Sequence, residues 1–415
     1  IAGSITGAYE WILRTDFVRP GRSPNVAVRK TPLRLDTGNI GMTKTHGIAT
    51  GLTRRALLGT GAAALATPML ARRALAQTTE LTMLAWYGHA EPDIVAEFEA
   101  ENNVKFVPKY YTGGDNMLGL ISQSPPGTFD IILSDAEYVQ ALNAAGYVEE
   151  LDPNDYELAD YFPEFQNFPG NWADGKLFSL VTRFGFLGVA YNTDALTETE
   201  AANYNVFWDP KLTGKVGHFD WHLPNLGQMS LLNGNANPYD IDEAAWEAVK
   251  EKTLSLRPQI GGFFDYGGTF SSLNDGQMLA FCGIGDWITG VLEKSGAKVR
   301  SVIPEQGGLQ WSECFSIGKG SAKADLAKKW IQYITSAKGQ AKSAQMAAYP
   351  ALIPNQKGWE VLQAENPDEA KRQGMTKDAG NAMDMIRAGR IKYRQWPVQQ
   401  DLETWNDFWS EYKGS

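Results

Sequence analysis

The stretch from Leu81 to Lys109 constrains the fold of this chain more than any other stretch. It begins with a short apolar run, Leu81 to Ala85, and after a polar break Pro92 opens a segment whose apolar residues recur at helical spacing. A second apolar run follows at residues 104–107. This pattern is typical of a strand, a helix with proline at its first position and another strand. We therefore predict a β-α-β unit that opens an α/β domain.

The loop after the first predicted strand is a candidate part of a binding site. It carries Trp86 and His89, and ligands of open α/β sheets bind beyond the carboxyl ends of the strands. Trp86 could instead simply cover the hydrophobic core, because large aromatic side chains are mostly buried. The residues of this loop alone leave both interpretations open.

The segment before this unit has a different composition. Residues 1–41 are rich in Arg, Pro and Gly and show no sustained apolar period. After Met42, the pair Arg54-Arg55 precedes an apolar run and then small residues, an order typical of an export signal of the twin-arginine type. We expect Met42 to be the true start and residues 42–76 to be a signal peptide. Cleavage between Ala76 and Gln77 would release a periplasmic protein.

The charge of the remaining chain is strongly acidic. Residues 1–76 contain 11 of the 38 basic residues and 3 of the 48 acidic residues, which leaves residues 77–415 with a formal charge of −18. Such a charge disfavours nucleic acid as a partner and attracts cationic small molecules. The same negative charge would also be expected if its role were only to keep an exported protein soluble. A chain of this length is long enough for two lobes with separate cores.

Further apolar runs predict the remaining elements. Strands are expected at 129–134, within 176–192, at 277–284 and at 299–303, and helices at 137–145, 225–232, 242–256 and 324–336. A last apolar stripe is typical of a helix packed against a lobe, and it consists of Val398, Leu402, Trp405, Phe408, Trp409 and Tyr412.

Two groups of residues suggest special chemistry. His218, Asp220 and His222 include good zinc ligands, but a strand and loop would not place them on one helical face, so we expect no metal. Cys282 and Cys314 lie in neighbouring apolar runs that could be adjacent strands. They could form a disulfide in an oxidising compartment or remain buried free thiols, and both states stay open.

The distal half of the chain carries the motifs of a known family. The motifs are Gly307 to Ile317, the predicted helix at 324–336, Gly339-Gln340, Tyr349-Pro350 and Pro354-Asn355. Together with the first unit they resemble the extracellular solute-binding proteins of ABC importers, most closely the spermidine/putrescine-binding group.

This resemblance implies a fold and a function. The fold would be an α/β periplasmic-binding-protein fold of type II, with lobe 1 at 77–188 and 312–358, and lobe 2 at 189–311 and 359–415. Crossing strands would join the lobes, which close on a ligand between them. The protein would be a monomer that delivers a cationic amine such as putrescine or spermidine to ABC permease and ATPase subunits, without catalysis or a cofactor.

The resemblance also implies a ligand site. Polyamine-binding members hold methylene groups between aromatic rings and ammonium groups with carboxylates, which suits the physics of both parts. The corresponding or neighbouring positions here are Trp86, His89, Asp135, Glu137, Asp220, Asp286, Trp311, Glu313 and Tyr349. Trp86, Trp311, Glu313 and Tyr349 keep the chemistry of the family most closely.

Three positions depart from the family. His89 replaces a tyrosine, Glu137 replaces an aromatic residue, and the tryptophan expected near Gly283 is absent, with Asp286 and Trp287 a few positions later. These changes leave an acidic and aromatic site of altered shape. They favour an amine in general over spermidine in particular.

Other ligands and an enzyme remain as alternatives. A quaternary ammonium compound would suit the same chemistry, whereas an aminophosphonate would require an arginine such as Arg183. A ferric-ion binder would need late paired tyrosines, but the pair Tyr110-Tyr111 lies early. No catalytic motif of a hydrolase or metalloprotease is present, and the chain has four histidines, so we expect no enzyme.

Overall fold

The computed structural model describes residues 78–415. The predicted start at Met42, the export signal and the cleavage site therefore lie outside the described residues. The strands of the described range are β1 (Thr79–Ala85), β2 (Val104–Tyr110), β3 (Ile131–Asp135), β4 (Trp172–Ala173), β5 (Lys176–Leu177), β6 (Leu180–Leu187), β7 (Val189–Asn192), β8 (Val216–Phe219), β9 (Ile260–Phe264), β10 (Ala280–Cys282), β11 (Val299–Val302), β12 (Gly308–Ile317) and β13 (Ile391–Tyr393).

The α-helices lie between and after these strands. They are α1 (Pro92–Asn102), α2 (Gly114–Ser122), α3 (Ala136–Ala144), α4 (Pro163–Gln166), α5 (Glu198–Ala201), α6 (His222–Leu232), α7 (Glu243–Ser255), α8 (Tyr266–Asn274), α9 (Asp286–Lys294), α10 (Ala324–Thr335), α11 (Ala337–Ala344), α12 (Gln356–Glu365), α13 (Pro367–Arg372), α14 (Ala382–Arg387) and α15 (Leu402–Gly414). Across residues 78–415, we find no helix whose length and hydropathy would suit a membrane span.

A six-stranded mixed sheet contains the predicted β-α-β unit. Its main order is β13-β12-β3-β1-β2, and β6 pairs with the other edge of β12. β1 is parallel to both β2 and β3. Most of β1 is buried, as expected for a parallel strand covered on both faces. Because the chain leaves β1 for β2 on one side and β3 on the other, a crevice forms at the carboxyl end of β1.

A second, five-stranded sheet has the order β11-β7-β10-β8-β9. Its strands β8, β9 and β10 are parallel, while β7 and β11 run antiparallel to their neighbours. The helix α15 packs against α6 and α7. Its residues Trp405, Phe408, Trp409 and Tyr412 are buried, so this part of the predicted apolar stripe is confirmed.

The chain crosses between the two sheets at Gly188. This residue separates β6 of the first sheet from β7 of the second, and its backbone N–H donates to the carbonyl of Ile284. A Cβ atom at Gly188 would lie only 2.2 Å from the carbonyl oxygen of Val302. Glycine is needed here because no side chain fits between the crossing segments. The chain returns to the first sheet between β11 and β12.

Most predicted elements are confirmed, but several boundaries were wrong. The predicted strand at 277–284 is paired only at β10, and the predicted helix at 225–232 begins three residues earlier, at His222. Val398 lies before α15 and is 59% exposed, so it does not belong to the packed stripe. Apolar runs report burial, whereas the ends of elements depend on hydrogen-bond partners elsewhere.

The two cysteines do not lie on adjacent strands, the arrangement that a disulfide between them would have required. Cys282 is in β10 of the five-stranded sheet and Cys314 is in β12 of the six-stranded sheet. Both are buried free thiols. Burial raises the pKa of Cys282 well above its usual value and also raises that of Cys314. Thiols in such surroundings pack as small apolar groups.

The lobe boundaries, predicted from family resemblance alone, stay a prediction. Within residues 359–415, which that prediction assigns to lobe 2, β13 pairs in parallel with the start of β12 in the six-stranded sheet. The chain therefore visits the first sheet once more before α15. This late strand matters for the site, because it brings Arg394 to the crevice.

Candidate ligand-binding site

The crevice at the carboxyl end of β1 lies where the ends of β3 and β13 approach each other. β3 and β13 pair with successive parts of the same edge of β12 and run toward each other. Their ends therefore bring Asp135, the last residue of β3, close to Arg394, the residue after β13. The register also places Asp135 opposite Glu313 of β12, so these two carboxylates emerge on one face of the sheet.

The first charged cluster surrounds Glu313. The Tyr349 hydroxyl donates to Oε1 of Glu313 at 2.6 Å, and Nε2 of His89 lies 3.1 Å from Oε2. Nη1 of Arg183 lies 3.7 Å from the same oxygen, and its Nη2 donates to the carbonyl of Tyr349 at 2.6 Å. The guanidinium also lies 4.3 Å from the centre of the Tyr349 ring. All four residues are buried.

Burial determines how this cluster is charged. It lowers the pKa of His89, against the opposing effect of Glu313, so the imidazole is neutral near pH 7. Burial alone would raise the pKa of Glu313, but His89, Arg183 and the Tyr349 hydroxyl together hold it below its usual value. Arg183 is therefore the positive charge that compensates Glu313.

The second charged cluster joins Asp135 and Glu137 through Arg394. Nη2 of Arg394 donates to Oδ1 of Asp135 at 2.7 Å, and its Nε donates to Oε1 of Glu137 at 2.6 Å. The indole Nε1 of Trp86 donates to the other oxygen of Asp135 at 3.1 Å. The guanidinium lies 4.4 Å from the centre of the Trp221 ring. Two carboxylates, an arginine and two indoles thus form one unit.

The carboxyl groups of Asp135 and Glu137 in the second cluster both have raised pKa values. Burial raises the pKa of Asp135 to about 7, with Arg394 opposing the shift and Glu137 and Glu313 adding to it. Burial also raises the pKa of Glu137, again against Arg394. A single guanidinium therefore compensates the desolvation of two carboxylates only in part.

Aromatic side chains from the two sheets meet across the crevice. The ring centroids of Trp86 and Trp221 are 6.4 Å apart, and those of Trp287 and Tyr349 are 6.3 Å apart. Trp311 lies 6.5 Å from Tyr349 and is packed over Gly185, where a Cβ atom would collide with the indole. Trp287 and Trp311 also line a cavity of about 280 Å³ between the two sheets.

The structure brings together most of the predicted ligand-binding residues. Those that meet in the two clusters and their aromatic walls are Trp86, His89, Asp135, Glu137, Trp311, Glu313 and Tyr349. Asp220 and Asp286 lie apart from both charged clusters. Asp220 accepts from Trp409 and Lys413 of α15, and Asp286 pairs with Arg372 at 2.8 Å.

Two members of the site were not predicted from the sequence. Arg394 is buried on two carboxylates, and Trp221 stacks against it. The partner of Arg394, Asp135, is 259 residues away in the chain, so no local spacing links them. Arg183, which was considered only for a phosphonate ligand, holds Glu313 and the backbone of Tyr349 instead.

The residues considered for metal binding have other partners. His218 contacts the amide oxygen of Asn225 and the hydroxyl of Tyr412. The hydroxyls of Tyr110 and Tyr111 donate to Glu91 and to the carbonyl of Leu133. Between residues 78 and 415, no group of three or more His, Cys, Asp or Glu side chains is arranged to hold a metal ion.

Two sheets joined by crossing segments, with a charged and aromatic crevice between them, define a protein that encloses a small ligand. Residues 93–360 match the family model of the bacterial extracellular solute-binding proteins. The chain belongs to this family.

Named relatives agree with this membership. The chain is 23% identical over 285 residues to spermidine/putrescine-binding periplasmic protein 1 of Haemophilus influenzae, covering 68% of this chain and 77% of that protein. It is 22% identical over 359 residues to the spermidine/putrescine-binding periplasmic protein of Escherichia coli, covering 86% of this chain and 96% of that protein.

A solved structure shows the same fold. The spermidine/putrescine ABC transporter substrate-binding protein of Streptococcus pneumoniae superposes with a TM-score of 0.67 at 18% identity. The match covers 81% of this chain and 99% of that protein. The predicted type II periplasmic-binding-protein fold is thereby confirmed.

Proposed function

We propose that this chain is the periplasmic binding component of an ABC importer and that it captures an aliphatic amine. Amines of this kind, the polyamines, appear in the names of its relatives. The observation that carries the proposal is the second charged cluster, in which Asp135 and Glu137 share the single guanidinium of Arg394 beside the indoles of Trp86 and Trp221. Carboxylates compensate an ammonium group, and ring faces attract it by about 0.5–2 kcal/mol.

The remaining parts of the proposal follow from this role. The protein would be exported through the predicted twin-arginine signal, act as a monomer in the periplasm, and close its lobes on the ligand before docking on the permease. The ATPase subunits would then drive import. The acidic charge of residues 77–415 supports a cationic ligand and disfavours nucleic acid.

Binding without chemistry is part of the same proposal. An amine incubated with the purified protein should be recovered unchanged, which mass spectrometry of the released ligand would check. Turnover of the amine would instead reveal an enzyme.

A thermal-shift series tests the proposed ligand class. Putrescine, spermidine, choline, simple monoamines, 2-aminoethylphosphonate and ferric citrate would each be added to the purified full chain. We expect at least one amine to raise the melting temperature, because a ligand at a hundred times its Kd adds about 2.7 kcal/mol of stability. Stabilisation by ferric citrate or 2-aminoethylphosphonate, with none by the other amines, would leave the family membership intact and refute an aliphatic amine as the ligand.

The variant Trp86→Ala tests the proposed position of the ligand. Removal of the indole should weaken amine binding by about 0.5–2 kcal/mol, because an aromatic face over the cation is lost. Isothermal titration calorimetry of the best amine would measure this change. Trp208→Ala is the matched control, since that indole bonds to Ser255 and contacts Lys252 outside the crevice. Equal losses in both variants would argue against this site.

Amine binding should strengthen as the pH rises from 6 to 8. Burial raises the pKa of Asp135 to about 7, so the carboxyl is mostly protonated at pH 6 and mostly ionised at pH 8. A cation prefers the ionised form, which predicts a gain of about tenfold in affinity over this range with release of a proton. Calorimetry in buffers of different ionisation enthalpy would measure both.

The groups that face Asp135 set this dependence. They are Glu137 of α3, Glu313 of β12, the Arg394 guanidinium and the Trp86 indole, and only the first three carry charge. Asp135→Asn should bind more weakly and flatten the profile. An unchanged pH profile in that variant would assign the dependence to another group.

A further inference from the structure

Each charged cluster of the crevice already contains a guanidinium group in the position suited to a ligand ammonium. In the second cluster, Arg394 donates to Asp135 and Glu137 and lies over the face of Trp221. Two carboxylates below a cation and an indole face above it form a complete site for a positive charge. The side chain of Arg394 occupies it.

The first cluster repeats this arrangement with Arg183. Its guanidinium pairs with Glu313 at 3.7 Å and lies 4.3 Å from the centre of the Tyr349 ring. Arg183 is completely buried. Tyr349 and Glu313 are two of the residues that most closely match the polyamine-binding relatives, yet here they hold a cation of the chain itself.

The charge that remains for a ligand is small. When both carboxyl groups of the second cluster are ionised, Asp135, Glu137 and Glu313 supply three negative charges, while Arg183 and Arg394 supply two positive charges. His89 adds none near pH 7, because burial lowers its pKa. At most one negative charge is therefore left, since burial favours the protonated forms of Asp135 and Glu137. A ligand with two or three ammonium groups would bring an excess of buried positive charge, which a desolvated site disfavours strongly.

One carboxylate oxygen in the second cluster lacks a hydrogen-bond donor among the described residues. Oε2 of Glu137 is buried and has no hydrogen-bond partner within residues 78–415, whereas Oε1 is bound by Arg394. A buried carboxylate oxygen without a donor is costly, and an ammonium N–H would satisfy it.

The surroundings of Trp311 suit a neutral part of the same ligand. Its indole Nε1 is buried and has no acceptor among the described residues. Its ring lines the cavity of about 280 Å³ between the sheets, whose charged lining residues are the paired Asp286 and Arg372 together with Lys371. A neutral group with an acceptor oxygen would satisfy the indole without adding charge.

We propose that Arg394 is a specificity-determining residue that replaces one ammonium group of a polyamine, so that the crevice selects an amine with a single positive charge. This inference rests on the proposed function and narrows the ligand to a monocation with a neutral remainder. Arg183 blocks the corresponding position at Glu313 in the same way.

A matched ligand series tests the charge limit on the wild-type full chain. Putrescine carries two charges, N-acetylputrescine has the same diamine chain with one charge and an acceptor oxygen, and 4-aminobutanoate is a zwitterion. We expect N-acetylputrescine to bind at least about tenfold more tightly than putrescine, as measured by calorimetry, because like charges repel in a desolvated site.

Variants of Arg394 test its role directly. Arg394→Gln leaves two negative charges, so putrescine should gain at least about tenfold in affinity relative to N-acetylputrescine. Arg394→Lys should keep the wild-type order because it keeps the charge. The double variant Glu137→Gln with Arg394→Gln restores one negative charge and should also keep that order, although both amines should bind more weakly because the Glu137 carboxylate is lost. It provides a charge-balanced protein if Arg394→Gln folds only in the presence of a diamine.

The possible outcomes separate the inference from the proposed function. Putrescine or spermidine binding as tightly as N-acetylputrescine would overturn the charge limit and leave the amine function intact. Tighter binding of 4-aminobutanoate would also overturn it, since Arg394 would then recognise a carboxylate. An unchanged ligand order in Arg394→Gln would remove Arg394 from specificity. Binding of no amine at all would overturn both proposals.

Discussion

Replacing Arg183 with methionine is expected to lower the free energy of unfolding by about 3–5 kcal/mol. Methionine keeps much of the volume but removes the guanidinium, which leaves Glu313 buried without its compensating charge and the carbonyl of Tyr349 without its donor. Urea denaturation followed by tryptophan fluorescence would measure the loss at pH 8. The loss should be smaller at pH 5, because Arg183 helps to lower the pKa of both His89 and Glu313, and its removal lets either group take up a proton that relieves the uncompensated charge.

Arg387→Met is the matched control for this experiment. Arg387 donates to Glu164 at 2.8 Å, but its side chain is 46% exposed. An exposed ion pair contributes about 0–1 kcal/mol, so this variant should unfold close to the wild type. Similar losses of stability in the two variants would show that the buried ion pair of Arg183 contributes no more to the free energy of unfolding than an exposed one.

The second large effect is expected from Trp405→Ala, with a loss of about 3–5 kcal/mol. Trp405 is fully buried in α15. It stacks on Trp246 at 5.0 Å with an angle of 7° between the rings, and on Tyr239 at 5.6 Å. Alanine would leave a cavity between α15 and α7 that rigid neighbours fill only in part. The same urea denaturation would measure the change.

Val398→Ala serves as the control from the same predicted stripe. Val398 is 59% exposed and precedes α15, so its truncation should change the stability by no more than about 0.5 kcal/mol. A large loss in this variant would show that the segment before α15 packs more closely than its exposure indicates.

The periodicity of apolar residues was enough to predict most elements near the site. The β-α-β unit, β3, α3 and α15 were all found where the spacing placed them, because burial imposes a period on neighbouring residues. The boundaries were less accurate at Val398 and in the segment 277–284. At those places the end of an element depends on which distant strand or helix supplies a partner.

Some of the site residues could also be predicted from the sequence. Family motifs pointed to Trp86, Trp311, Glu313 and Tyr349, and the structure places them around one crevice. The sequence also suggested Asp220 and Asp286, but each of these has a cationic partner of its own from a neighbouring helix. Acidic residues are easy to see in a sequence, whereas the lysine or arginine that pairs with each is not.

The sequence by itself determined the class of this protein, its two-sheet α/β fold and the acidic and aromatic character of its crevice. Only the tertiary structure decided how the crevice is charged. The key residue, Arg394, meets Asp135 because β3 and β13 run toward each other along one edge of β12. Burial patterns are local and survive in the sequence, but the pairing of charges 259 residues apart depends on that convergence of strands.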